Sequence, residues 1–157
     1  MINRNVLFAL SLTGLLVACG GPGEQADVPE AQPAEATSAD IGDHVVYFNA
    51  QSTDALTLET AQALNIRRSK GSAMLNVSVV AKTGGSSVAA DVSVKAVNLT
   101  GQLKDMTLRR VDDGGAIYYI GTTSVANRET LVFDITVRPE GAAAATEVRF
   151  KRQFYSD

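Results

Sequence analysis

Leu131, Phe133, Ile135 and Val137 occupy every second position of their segment, with Val132, Asp134 and Thr136 between them. A period of two sends successive side chains to opposite faces of a strand, whereas a helix needs apolar residues three and four apart. This alternation constrains the fold more than any other feature of the chain, and it recurs. Val46 and Phe48 mark a first strand, and Leu75, Val77, Val79 and Ala81 a second. Thr83-Gly84-Gly85-Ser86 is a hairpin signal leading to a third strand through Val88, Ala90, Val92, Val94 and Ala96. Met106 and Leu108 mark a fourth, Ala116 to Thr122 a fifth, Leu131 to Val137 a sixth, and Val148, Phe150 and Phe154 the last. Asp112-Asp113-Gly114-Gly115 and Pro139-Glu140-Gly141 are the turns between them. Short strands at such spacing predict an antiparallel β-sandwich of immunoglobulin-like type, with a small closed β-barrel as the alternative. Val77, Val79, Val92, Leu131, Phe133, Ile135, Phe150 and Phe154 are the expected core.

One segment departs from the period. In Thr57-Leu58-Glu59-Thr60-Ala61-Gln62-Ala63-Leu64, Thr57 suits an N-cap and Glu59 the first turn, and the following Asn65 suits a left-handed stop. Leu58, Ala61 and Leu64 share one face, which predicts a two-turn helix lying across the sheet.

The amino-terminal part is of another kind. Met1–Asn5 carries one cation, Arg4, and Val6–Val17 is an apolar run of export-signal length, too short to span a bilayer of about 30 Å. It ends in Leu16-Val17-Ala18-Cys19, which resembles the lipobox of bacterial lipoproteins. That resemblance implies cleavage before Cys19 and lipid on its thiol, and Gly20 in place of an aspartate implies the outer membrane. Cys19 is the single cysteine, so no disulfide can form within the chain. Up to Asp43 the sequence is rich in Gly, Pro, Ala and Glu. Six carboxylates (Glu24, Asp27, Glu30, Glu35, Asp40 and Asp43) stand there without a Lys or Arg. Such a segment buries too little to fold and reads as a disordered spacer. The expected organisation is therefore a signal peptide over 1–18, a lipidated cysteine and acidic tether over 19–41, and one domain over 42–157.

From His44 onward the chain has thirteen basic and eleven acidic side chains, too even a balance for a nucleic-acid partner. Five Phe, four Tyr and no Trp argue against a stacking platform for bases or sugars. His44 is the only histidine, so neither a zinc centre nor a Ser-His-Asp triad with its Gly-x-Ser-x-Gly elbow is expected. No metal or other cofactor is implied.

Six blocks carry a wider resemblance: Val46-Tyr47-Phe48-Asn49-Ala50 through Asp54, Ile66-Arg67-Arg68-Ser69-Lys70, Leu75-Asn76-Val77-Ser78-Val79, Asn98-Leu99-Thr100-Gly101-Gln102, Ala116-Ile117-Tyr118-Tyr119-Ile120, and Glu129-Thr130-Leu131-Val132-Phe133-Asp134. In this order and spacing they resemble an uncharacterised family of exported bacterial proteins, catalogued as domain of unknown function 4426. The family implies no activity, cofactor or catalytic residue. Leu58 stands where its proline is expected after the N-cap, and Asn65 where its glycine ends the helix; both suit the same helix.

Two clusters are candidates for interaction. Arg67, Arg68 and Lys70 place three cations in four residues after the helix, either as strand-edge protection or as a clamp for a carboxylate or other anion. Arg109-Arg110 and Arg149, Lys151 and Arg152 are further cations on strands. The second cluster joins Asn98 and Gln102, as a polar loop, to Tyr118 and Tyr119, one tyrosine in the core and the other exposed. The reading these features support is a lipid-anchored envelope protein, not an enzyme, that faces the periplasm, binds an envelope protein, and touches the membrane through Cys19. A carrier of a small or lipidic ligand and an envelope-acting hydrolase are the alternatives. Cys19→Ser is expected to release the protein from the membrane fraction or leave an unprocessed precursor. A mature N-terminus elsewhere, with no acyl mass on Cys19, would contradict the lipobox.

Overall fold

The computed structural model describes residues 36–157; the signal, Cys19 and most of the tether lie outside the described residues. Nine strands and one short α-helix follow in order: β1 (Ser38–Ile41), β2 (His44–Ser52), α1 (Leu58–Ala63), β3 (Ser72–Ala81), β4 (Ala90–Asn98), β5 (Leu103–Lys104), β6 (Arg109–Asp113), β7 (Ala116–Ser124), β8 (Thr130–Pro139) and β9 (Thr146–Gln153). They form two antiparallel sheets, β1-β2-β3-β7-β6 and β5-β4-β8-β9. The chain crosses from the first sheet to the second between β3 and β4 and again between β7 and β8. Because β3 pairs with β7 and β4 with β8, the two crossings interlock. The fold is an antiparallel β-sandwich, and neither sheet closes into a barrel.

The period-two residues meet between the sheets. Val46, Phe48, Leu75, Val77 and Val79 of the first face Leu131, Phe133, Ile135, Val137, Val148 and Phe150 of the second. Phe150 sits between two rings, 4.7 Å from Phe48 across the sheets and 4.8 Å from Phe133 within its own. Aromatic pairs at this separation add to the area they bury. Of the eight expected core residues only Val92 is merely half-buried. Its strand has β8 on one side and a partner of just two residues, β5, on the other, so much of β4 is in effect an edge.

The boundary expected at residue 42 falls inside the fold. Ser38–Ile41 pairs with His44–Tyr47 and buries Ala39 and Ile41. The pattern is only two buried residues long, and one of them is alanine, so it merges with the spacer composition. The expected fourth strand also moves: Met106 and Leu108 belong to a segment that crosses β7, and pairing begins at Arg109. The turn after β3 opens as a hairpin, with Val80 opposite Ser87, but the chain then leaves for the other sheet.

The helix forms as its caps dictate. Thr57 Oγ1 accepts the Thr60 N–H at 3.1 Å, and Asn65 takes φ 49°. Ala61 packs with Leu56, Met74 and Ile120 on the outer face of the first sheet, and Leu64 and Ile66 pack against that cluster. Leu58, expected on the buried face, is 61% exposed because it occupies the first turn, beyond the sheet contact made by Ala61. Phe133→Ala is expected to cost about 3–5 kcal/mol, read from the denaturant midpoint. A cost near zero would contradict a central position for the ring stack.

Candidate anion-binding cleft

Thr53, fully buried in the 3-10 turn after β2, fixes the basic segment. Its hydroxyl accepts the Ser69 N–H at 2.9 Å, and its single proton has the Arg67 and Ser69 carbonyls within reach at 3.0 and 3.1 Å. The loop is thus anchored by one side chain that meets three of its polar backbone groups. The three cations then separate. Arg68 Nη2 folds back onto the Asp54 carbonyl at 2.6 Å, and Lys70 Nζ donates to the Asp157 main-chain oxygen. Arg67 makes no ion pair or side-chain hydrogen bond among the described residues.

Arg67 instead shares a cleft of about 290 Å³ with Arg109, at the start of β6. Ser72, Thr107 and Thr122 also line it, the Ser72 hydroxyl donating to the Thr123 carbonyl at 3.4 Å, and Ile66, Ile120 and Gly121 complete the walls with Asn65. Arg109 Nη2 donates to the Leu64 carbonyl, which holds the arm against the end of the helix and leaves its other donors available. Two arginines and no acidic residue line the cleft. Arginine presents planar pairs of donors suited to carboxylate or phosphate oxygens, and hydroxyls supply further donors. The lining has no His, Cys, Lys, Asp or Glu, and its charged side chains are the two arginines.

Gly121 makes this geometry possible. A Cβ there would lie 2.9 Å from Met106 Cγ, Leu108 Cδ2 and the Thr107 carbonyl, so only glycine lets the 106–108 segment lie against β7. A glycine inside a strand pattern signals such a close approach, and it was the available clue to this cleft. Arg109, read as a strand cation beside Arg110, belongs here because it sits opposite Ile120 on the outer face.

A larger cleft of about 440 Å³ contains Arg110 and Arg138, but these pair with Asp112 and Asp91. Its positive charge is already matched.

The second cluster divides. Tyr119 is buried and its hydroxyl accepts the Ala90 N–H at 2.8 Å, fastening the start of β4. Tyr118 is half-buried on the opposite face, against the helix cluster, rather than openly exposed. Asn98 lies at the far end of β4, about 27 Å from Ala90 for a nine-residue strand. It does not join the tyrosines in one surface. Asn98 Oδ1 accepts the Thr100 and Gln102 N–H groups at 3.2 and 2.9 Å, and its Nδ2 donates to Gln102 Oε1 and Glu129 Oε1 at 3.1 and 2.9 Å. Glu129 also pairs with Lys104 at 2.8 Å, each side chain 11% exposed, and accepts the Ala126 N–H at 2.8 Å. These contacts lock the turn and engage both polar atoms of the Asn98 side chain within it.

An antiparallel sandwich with a cationic cleft on the outer face of one sheet is the class these observations define. The chain belongs to the family described as a domain of unknown function (DUF4426), whose model matches residues 38–157. Its structure is similar to the crystal structure of a DUF4426 family protein from Pseudomonas aeruginosa PAO1, with 32% identity and a TM-score of 0.66 over 76% of this chain and 94% of that one. It is also similar to a copper-bound variant of FetP from uropathogenic Escherichia coli strain F11, with 10% identity and a TM-score of 0.52 over 76% of this chain and 95% of that one. At that identity the likeness shows the fold alone. Among the described residues no three His, Cys, Asp or Glu side chains gather as metal ligands. No curated protein matches the chain.

Burial pushes the Glu129 carboxyl up, but hydrogen bonds from Lys104, the Ala126 N–H and Asn98, with the Lys104 charge, outweigh it and hold its pKa below the ordinary glutamate range. A depressed carboxyl stabilises the fold above its unfolded pKa, about 4.3, and loses that contribution as pH falls through its lower folded value. The difference in thermal midpoint between the native chain and Glu129→Gln is therefore expected to be present at pH 7 and to shrink below about pH 4.3. A constant difference across that range would contradict the network.

Proposed function

We propose that this protein is a lipid-anchored, non-enzymatic binding module of the bacterial envelope, held at the outer membrane through Cys19 and facing the periplasm. It engages an envelope partner through an acidic group received between Arg67 and Arg109. The observation that carries this reading is that Arg67 and Arg109 line one cleft with Ser72, Thr107 and Thr122 and without an acidic residue. The lipobox-like junction and the acidic spacer support the anchor and the reach of the domain from the lipid surface. The copper named for the FetP structure stays with that protein.

Exposed charge contacts are screened over about 8 Å at physiological ionic strength, so partner capture should weaken as salt rises. The test compares the lipidated chain with an Arg67→Ala, Arg109→Ala variant and with an Arg68→Ala, Lys70→Ala control. The first variant is expected to lose at least tenfold in capture of envelope partners, as the loss of a charge-assisted contact implies. The control is expected to retain capture, and both should keep their thermal midpoints. Equal capture by all three chains would contradict the cleft as the contact.

A further inference from the structure

Beside the cationic cleft lies a groove of about 460 Å³ between α1 and the outer face of the first sheet, and Ile120 lines both. The Arg109 contact to the Leu64 carbonyl stands at their junction, since Leu64 lines the groove and Arg109 the cleft. Leu56, Leu64, Met74, Val111, Tyr118 and Ile120 give the groove an apolar surface. Two side-chain amides interrupt it: Gln51 on β2 and Asn76 on β3, diagonal neighbours because Gln51 pairs with Met74 and Asn49 with Asn76. Asn76 Oδ1 is buried and has no hydrogen-bond partner. At the far rim stand Glu59 and Asp113, neither of them in an ion pair among the described residues.

The polarity along this face is ordered. On β6, Arg109, Val111 and Asp113 point outward in sequence, so cation, apolar side chain and anion follow one another over about 13 Å. That is the span of about four extended residues.

An acyl chain with an acidic head would satisfy the arginines and the apolar surface. It would also cover two amides and approach two carboxylates while offering them nothing. A buried amide left without a partner is destabilising. A peptide main chain has both an N–H and a carbonyl to offer a side-chain amide, whichever way that amide is turned. Its end supplies a carboxylate for guanidinium groups, and a basic side chain upstream suits Glu59 and Asp113.

We propose that the cleft and groove together receive the free C-terminal segment of a partner polypeptide. The terminal carboxylate lies between Arg67 and Arg109, an apolar side chain rests on Leu64, Met74 and Tyr118, and a Lys or Arg about four residues upstream meets Glu59 and Asp113. This rests on the anion-binding reading of the cleft and adds the class of ligand.

The test exposes the full lipidated chain in nanodiscs to a pool of random heptapeptides with free carboxylates, and to the same pool with C-terminal amides. Free acids ending in an apolar residue, with Lys or Arg four positions upstream, are expected to be enriched at least tenfold over their amides. That enrichment should vanish in Arg67→Ala, Arg109→Ala. Glu59→Gln, Asp113→Asn should keep the carboxylate preference and lose the upstream basic preference. No enrichment, or equal enrichment of acids and amides, overturns the proposal. Inorganic phosphate separates the two levels of the argument. If it raises the thermal midpoint of the native chain and not of the double arginine variant while no peptide is enriched, the anion cleft stands and the peptide proposal falls. If neither phosphate nor peptide binds, both fall.

Discussion

The contact of Phe150 with Phe48 on one side and Phe133 on the other joins the two sheets and commits one face of each to the interior. Rings whose centroids lie 4.7 and 4.8 Å apart fix the spacing of strands β2, β8 and β9. With that face of each sheet committed to the interior, the other face of each is left for solvent, for the helix, or for a ligand. Around the stack, Val77, Val79, Leu131, Ile135 and Val137 are fully buried. At roughly 25 cal/mol per Å² of apolar surface removed from water, side chains of this kind supply the dominant stabilising term. The interlocked crossings between β3 and β4 and between β7 and β8 keep the sheets in this register, and Tyr119 reinforces the first by accepting the Ala90 N–H.

The helix is what makes the outer faces of the two sheets unlike. On the second sheet, charged residues pair across strands, as Arg149 does with Asp134 and Arg138 with Asp91. On the first sheet, α1 and the loop after it cover part of an apolar patch and leave a groove beside it. Thr53 clamps that loop, Gly121 admits the 106–108 segment, and Arg109 reaches back to Leu64. Three remote parts of the chain thus converge on one place. The two arginines that result have no carboxylate beside them, whereas Arg110 and Arg138 do.

Much of the sandwich was legible because burial on one face writes itself into period two. Leu131–Val137 on β8 and Leu75–Val79 on β3 are the clearest cases. The N-cap at Thr57 and the left-handed Asn65 were legible too, because each depends on local chemistry. The pairing order was not. Period two says which residues face inward but not which strand lies beside which, so the departure of β4 to the second sheet left no local sign. β1 and β5 escaped because four and two residues carry too little pattern. The cleft was legible only in part. Arg67 was singled out by the density of charge around it, but its neighbours Arg68 and Lys70 turn to other carbonyl oxygens, and its actual companion lies 42 residues away on β6. The Asn98–Gln102 loop drew notice for its polar side chains, and those side chains prove to close the turn on itself.

In the proposed function, Arg67 and Arg109 hold an acidic group together. Nitrogen-15 resonances of the arginine side chains report this directly when acetate is titrated into the full chain at low ionic strength. The Arg67 and Arg109 Nε–H signals are expected to shift along one common saturation curve, while those of Arg110 and Arg138, already paired with carboxylates, stay in place. Shifts that grow without saturating and are equal at all four arginines would show a general response to salt and contradict a shared site.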